Sequence, residues 1–259
     1  MRLIKEIYTY REMLFSLVKR DLRGRYKGSF LGFFWTFLNP LLQLCVYSVV
    51  FTTIMRMDDI DKFYLFLFVA LVPWLFFSAC LTGGSSVIFA QQDMVKKIYF
   101  PREILPLSFV VSQFVNMLLC FVVIFAVLLF SGWGLNPLAL LWLPLVMVGE
   151  FLLCLGFTLI LSGLTVYFRD LEYIMGIVSM AWMYLTPVLY PMDRVPAELQ
   201  TIITCNPMSP IIVAYRDILY YKQVPQMSTL ISATAIGLIF IVVGLLAFSR
   251  LQRRFVEEL

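Results

Sequence analysis

The 259 residues contain no histidine, and only 14% of them are charged. Without histidine the chain lacks the side chain that ordinarily titrates near neutrality and the commonest metal ligand. Acid–base and metal chemistry are therefore not expected, and no catalytic or metal-binding residue is assigned. No G-x-x-x-x-G-K-[ST] loop is present. The chain cannot cradle and hydrolyse ATP by that route, so any driving nucleotide is expected on another subunit. The five cysteines (Cys45, Cys80, Cys120, Cys154 and Cys205) are scattered without CxxC spacing, four of them inside apolar runs. They read as packing residues with no disulfide framework. Leu42-Gln43-Leu44-Cys45 is a poor lipoprotein cleavage site, because Gln43 and Leu44 stand where small residues belong. A cleaved leader is not expected either, since the first apolar run starts near residue 30 and is longer than a signal core.

What is abundant is apolar surface. Hydrophobic residues make up 61% of the chain, against about half in soluble domains, which also carry about a quarter charged residues. Runs of roughly 20 apolar residues are long enough to cross a bilayer core. They fall at 31–55, 63–90, 107–131, 137–167, 171–192 and 227–249, which predicts an all-α integral membrane protein with six spans. Segments 1–30, 91–106, 168–170 and 250–259 hold fifteen of the twenty Lys and Arg. By the positive-inside rule these lie in the cytoplasm, so both termini are expected inside. The opposite side carries Asp58, Asp59, Asp61, Asp193, Glu198 and Asp217. Asp59-Ile60-Asp61 has the D-x-D spacing of metal-holding sugar-nucleotide enzymes, but on the outer side it reads as an acidic solvated turn.

Three segments between the spans have patterns of their own. In 1–30, Leu3/Ile4, Ile7/Tyr8, Leu14/Phe15, Val18 and Leu22 recur at helical spacing, with Lys5, Arg11, Lys19, Arg20 and Arg23 mostly elsewhere on the wheel. This predicts an amphipathic helix on the inner leaflet, which also serves as a basic anchor to anionic lipid. In 91–106, Asp93 is placed to cap a short helix and Pro101 to stop it. That helix suits insertion into a partner's groove, or is a plain connector. The 193–226 segment carries Pro196, Pro207, Pro210 and Pro225 between short apolar runs, which fits short re-entrant or surface helices protected by protein or water.

Glu150 is the one ionisable residue deep in a span. A carboxylate there must face protein or water. It either bonds to a neighbouring helix or faces a pathway, and no second acidic or basic group stands near it to form a relay. Aromatic residues make up 16% of the chain, many within the spans. Trp35, Phe37, Tyr47 and Phe51 fall in the first, and Trp182, Tyr184 and Tyr190 in the fifth. Such rings either pack and anchor the bundle or offer flat apolar faces to the C–H faces of a sliding sugar polymer.

Five ordered motifs carry a resemblance. They are Arg20-Asp21-Leu22-Arg23-Gly24-Arg25-Tyr26-Lys27-Gly28-Ser29 with Leu31-Gly32, Trp35 and Asn39-Pro40-Leu41; Lys96-Lys97-Ile98-Tyr99-Phe100-Pro101-Arg102-Glu103-Ile104-Leu105-Pro106; Tyr167-Phe168-Arg169-Asp170-Leu171; Thr186-Pro187-Val188-Leu189-Tyr190; and Asn206-Pro207 with Arg216. Nearly end to end, the chain resembles the permease subunits of type-2 ATP-binding-cassette exporters of bacterial surface polysaccharides such as O-antigen, capsule or teichoic acid. The resemblance implies a homodimer in the inner membrane paired with two ATPase subunits, with membrane lipid around it, a lipid-linked polysaccharide as cargo and no nucleic-acid partner. It implies that Asp93, Lys96, Lys97, Tyr99, Phe100, Pro101, Arg102 and Glu103 couple to the ATPase. The amphipathic segment with Arg20, Asp21, Arg23, Arg25, Tyr26, Gly28 and Ser29 would contact it too. The first and fifth spans, with their aromatics, would line the channel, and Thr186, Pro187, Asn206, Pro207 and Arg216 would form an external gate. Glu150 matches none of these motifs. The other readings are a related permease for a drug or small lipid, or a membrane glycosyltransferase or acyltransferase, for which the chain offers no catalytic cluster.

Overall fold

The computed structural model describes residues 2–24, 30–54 and 60–259, and among these residues it contains helices and turns but no strand. Two short helices, α1 (Arg2–Thr9) and α2 (Arg11–Gly24), lead the chain. The continuous amphipathic helix expected over 1–30 is thus broken at Tyr10, and Arg25, Tyr26, Gly28 and Ser29 lie outside the described residues. A 3-10 turn then enters α3 (Trp35–Val49), which ends in a π turn at Val50–Ile54. α4 (Phe63–Ser85) follows, then the short α5 (Gln92–Lys97) and α6 (Ile104–Phe130). The expected fourth span is divided into α7 (Pro137–Leu140) and α8 (Leu143–Thr165), with Pro144 in the first turn of α8, where its missing N–H is harmless. α9 (Leu171–Tyr184), α10 (Ala197–Cys205), α11 (Ser209–Leu219), α12 (Met227–Leu251) and α13 (Phe255–Glu258) complete the order.

Among the described residues, five helical stretches are long and apolar enough to cross a membrane: Gly32–Ile54, Phe63–Ser85, Ile104–Phe130, Pro137–Thr165 and Met227–Arg254. The expected span at 171–192 is shorter. Its α-helix has 14 residues, about 21 Å at 1.5 Å per residue, before the chain turns through Leu185–Tyr190. Pro187, which has no N–H to continue the ladder, sits in that turn.

α4 is apolar on every face, and it is the middle of the molecule. Leu65 to Val72 are all buried, as are Trp74, Phe77 and Leu81. A helix that is hydrophobic all round belongs inside a bundle, and here α3, α6, α8, α9 and α11 pack around it. α8 and α12 pair for a different reason. Glycines recur every seven residues on both, and they face each other. A Cβ added at Gly237 would lie 2.5 Å from the Gly149 carbonyl oxygen, and one at Gly244 would lie 2.6 Å from that of Gly156. Small residues let two backbones touch where lipid supplies no hydrophobic drive for helices to associate. Phe157 and Phe240 stack beside the contact, 4.4 Å between ring centroids.

A second, smaller apolar cluster closes the end of the bundle next to α5. Leu17 of α2, Ile88, Val95, Phe100, Ile104, Phe248 and Phe255 bury together there. The amphipathic pattern of the N-terminal segment therefore serves partly to seat α2 on the bundle.

Candidate functional site

At the α5 end, the chain from Gln92 to Glu103 is anchored by some residues and presents others. α5 starts at Gln92, and Asp93 is not its cap: the capping position belongs to Gln91, whose side chain makes no cap bond. Asp93 instead sits one turn from Lys97, 3.7 Å away across an exposed pair, a contact of small energetic weight in water. Val95 and Phe100 point inward, whereas Lys96, Lys97, Ile98 and Tyr99 face out, Tyr99 being 94% exposed. Ile98 is already extended, so the helix ends four residues before Pro101. The segment 92–100 is a ridge with two lysines and a tyrosine on its outer side and a Val/Phe plug beneath.

The next two residues tie that ridge to the far end of the chain. The Arg102 guanidinium donates to the Gln252 carbonyl and lies 5.7 Å from the Phe255 ring, while Gln252 Nε2 donates to Glu103 Oε1 at 2.7 Å. The Tyr167 hydroxyl donates to the Leu251 carbonyl at 2.8 Å, and Arg169 lies over Phe89 at 4.8 Å. The tail after α12 thus clamps both the 102–103 corner and the α8–α9 connection. Nothing in the residue pattern pointed to Gln252, because a lone glutamine beside basic residues reads as ordinary surface. On α2, Arg20 pairs with its neighbour Asp21 at 3.2 Å, and Arg23 occupies the last turn.

At the opposite end, two separated motifs converge. Asn206 Oδ1 accepts from Trp182 Nε1 at 3.0 Å and from the Met208 N–H at 3.0 Å, while its Nδ2 donates to the Leu185 carbonyl at 2.9 Å and to Thr186 Oγ1 at 2.8 Å. All the polar capacity of this buried amide is used, which fixes α10 and α11 against the end of α9. Pro207 follows, where a fixed φ suits a turn entering α11. About two turns into α11, Arg216 is only 3% exposed. Its guanidinium donates to the carbonyls of Pro187 (2.5 Å), Tyr190 (3.1 Å) and Val188 (2.6 Å), and it lies 3.6 Å from the Phe66 ring centroid on α4. A planar cation with a rigid fork of donors gathers a turn of carbonyls as lysine could not. Four of the five residues expected to act together at this end, Thr186, Pro187, Asn206 and Arg216, form one buried knot, and Pro207 sits half-buried beside it.

A lysine–tryptophan bracket adjoins the knot. Lys62 and Lys222 both adopt left-handed backbone (φ 47° and 56°), which is disfavoured for residues with a Cβ. Their ammonium groups lie 5.2 and 4.7 Å from the Trp133 ring centroid, and they donate to the carbonyls of Ser131 (2.7 Å) and Trp133 (3.0 Å). Tyr220 stacks on Trp133 at 5.1 Å and donates to the Asp61 carbonyl at 2.5 Å. Burial, with Tyr221 alongside, holds the Tyr220 phenol up at about 12, so it stays a donor at neutral pH. None of these four side chains stands out in the residue pattern.

Between the two ends, Glu150 is fully buried on α8 and accepts a 2.6 Å hydrogen bond from the Tyr215 hydroxyl on α11. Its second oxygen has no partner among the described residues. The bond joins helices α8 and α11. Among the span aromatics, Trp182 is packed into the bundle, edge-on to Phe77 (5.3 Å) and Phe157 (5.6 Å). Phe51 stacks on Phe63, and Phe37 packs edge-to-face with Phe33 and Phe34. The Tyr47 hydroxyl lies 3.9 Å from Met183 Sδ, and that of Tyr190 donates to the Tyr184 carbonyl. Trp35 and Tyr184 keep exposed faces. No group of three or more Cys, Asp or Glu that could hold a metal occurs among the described residues.

A family model described as ABC-2 type transporter matches residues 12–220, from α2 to the end of α11. The chain belongs to the ABC-2 type transporter family. Its relatives in that family include the O-antigen export system permease protein RfbA of Myxococcus xanthus, 35% identical over 100% of this chain and 99% of the relative. A protein of the same description from Klebsiella pneumoniae is 34% identical over 96% of this chain and 95% of its own. The polysialic acid transport protein KpsM of Escherichia coli is more distant, at 23% over 78% of this chain and 79% of its own. With its apolar helices, this member of the ABC-2 family is a multi-pass membrane protein.

Proposed function

We propose that this chain is the channel-forming permease subunit of an ATP-binding-cassette exporter that moves a lipid-linked surface polysaccharide, O-antigen in type, across the bacterial inner membrane. The observation that carries this reading is the end-to-end 35% identity with a relative named for O-antigen export. Two copies form the channel and two ATPase subunits, which hold ATP and Mg, drive it. α9 with the turn after it serves as the sixth span; its exposed apolar face at Tyr173, Ile174, Ile177 and Met180 supports contact with lipid or a second copy. The excess of Lys and Arg at the α5 end supports a cytoplasmic position for that end and both termini. α2 with Arg20, Asp21 and Arg23 lies at the membrane surface and shares the ATPase contact.

The mechanism is mechanical. Closure of the ATPase pair presses on Lys96, Lys97 and Tyr99. The Val95/Phe100 plug passes the push to the bundle, while the Arg102 and Glu103 ties pass it to α12. Because α8 and α12 touch backbone to backbone, they carry the displacement as one body toward α11 and the Asn206/Arg216 knot, which serves as the outer gate. Residues on α3 and α9, including Trp35, Tyr47 and Tyr184, line the path, where aromatic faces tolerate a sliding polymer. The test is export in cells. Charge reversal at Lys96 and Lys97 is expected to abolish surface polymer while the permease stays in the membrane at normal level. Unchanged surface polymer, or loss of polymer synthesis in place of export when the chain is deleted, would overturn the reading.

A further inference from the structure

A cavity of about 280 Å³ lies inside the single protomer, between α3, α4 and α6. It is separate from the outer knot and from the α5 ridge. Its polar lining comes from Trp35 and Asn39 at the start of α3, Ser78 and Thr82 near the end of α4, and Gln113 and Asn116 on α6. Gln113 and Asn116 follow the start of α6 at Ile104 by nine and twelve residues, roughly 14 and 18 Å along the axis. The cavity therefore sits within the spanning bundle, on the half toward α5.

Polar lining at this depth needs a reason, because an amide or hydroxyl in hydrocarbon without a partner is costly. Part of the lining is satisfied internally: Ser78 shares a 2.7 Å hydrogen bond with Ser179 of α9, Thr82 donates to the Ser78 carbonyl, and Asn39 accepts from Gln43. Asn116 Oδ1 is not. It is buried and has no partner among the described residues. The volume is several times the roughly 30 Å³ share of one water, so more than a single bridging water fits. The lining carries no Asp, Glu, Lys or Arg, and an ion entering here would lose its hydration without a counter-charge. The occupant is therefore neutral and rich in hydrogen-bonding groups. Planar amides that pair with adjacent hydroxyls, beside a tryptophan ring that takes a C–H face, suit a pyranose ring.

We propose that this cavity holds one neutral sugar residue at the inner side of the membrane, within each protomer and beside α3. The proposal rests on the polysaccharide-exporter reading. The glycan of the cargo and the glycerol headgroup of a phosphatidylglycerol both offer neutral hydroxyls, and the experiment separates them. In cells that make the polymer, with the full transporter present, a benzoylphenylalanine photo-crosslinker replaces Leu75, which also lines the cavity. The expected result is a permease adduct that reacts with an antibody to the glycan. It is absent when the crosslinker replaces Ile239, exposed on α12, and falls about tenfold with Asn116→Leu plus Gln113→Leu. Asn116→Ser, which adds no bulk, is expected to lower the adduct in the same direction if the larger change harms folding. A lipid adduct that is equally strong in cells lacking the polymer, or no adduct at position 75, overturns the proposal. If surface polymer still depends on the permease in that case, the exporter reading stands and only the cavity assignment fails. If polymer reaches the surface after the permease is deleted, the exporter reading itself has failed.

Discussion

The Tyr215 hydroxyl and Glu150 Oε2 are 2.6 Å apart, both fully buried, and they join a helix of the outer knot to a spanning helix. Removing one partner leaves the other buried and unpaired, at a loss of about 1–3 kcal/mol, whereas removing both is nearly neutral. Glu150→Leu and Tyr215→Phe are each expected to lower the melting temperature of the detergent-solubilised protein. The double variant is expected to recover most of that loss. Additive losses in the double-mutant cycle would mean the two side chains are not coupled.

The α8–α12 contact permits a sharper test. A Cβ at Gly156 would lie 2.4 Å from the Phe240 carbonyl group, which is backbone and cannot swing away. Gly156→Val or Gly237→Val is expected to force the helices apart and cost 1–3 kcal/mol or more, on the order of other overpacking changes. Gly176→Ala on α9, where nothing lies within 4 Å, is expected to be neutral or slightly favourable, since alanine is the better helix former. Monodisperse yield after extraction separates the two seam variants from the α9 control.

Arg216→Lys is expected to fail although it keeps the charge. An ammonium group cannot reach the carbonyls of Pro187, Val188 and Tyr190 with the geometry of a guanidinium, and hydrogen bonds to a charged group contribute about 1.5–3 kcal/mol each. The variant is expected to insert normally and lose export, with accelerated hydrogen exchange in 185–190. Normal export by Arg216→Lys would mean the carbonyl turn does not need its fork.

How far the sequence foretold these features depends on their range. Spans set by composition were legible because lipid imposes a length and an apolarity on each helix. The grouping of Thr186, Asn206 and Arg216 was legible through their motifs, although only the structure gives the reason, a saturated amide and a forked cation. The length of α9 was not, since apolar residues continue past Tyr184 and hydropathy does not register a turn gathered by an arginine 26 to 29 residues downstream. The break at Tyr10 and the Gln252 tie were equally hidden. The first interrupts a correct amphipathic pattern, and the second joins residues 149 positions apart. The Lys62–Trp133–Lys222 bracket depends on two left-handed lysines, a conformation no residue pattern announces for lysine.

The glycine seam between α8 and α12 also bears on how this chain can vary over evolutionary time. Where two side chains meet, a larger one can be offset by a smaller one opposite, and the pair drifts together. Where backbone meets backbone, no residue smaller than glycine exists to make room. Gly156, Gly237 and Gly244 are therefore frozen one by one, with no partner able to compensate, while Ile231, Leu238 and Val242 on the outer face of α12 are free to exchange among apolar types. Two descendants of this chain could come to share little else along α12 and still hold these glycines at the same interval of seven.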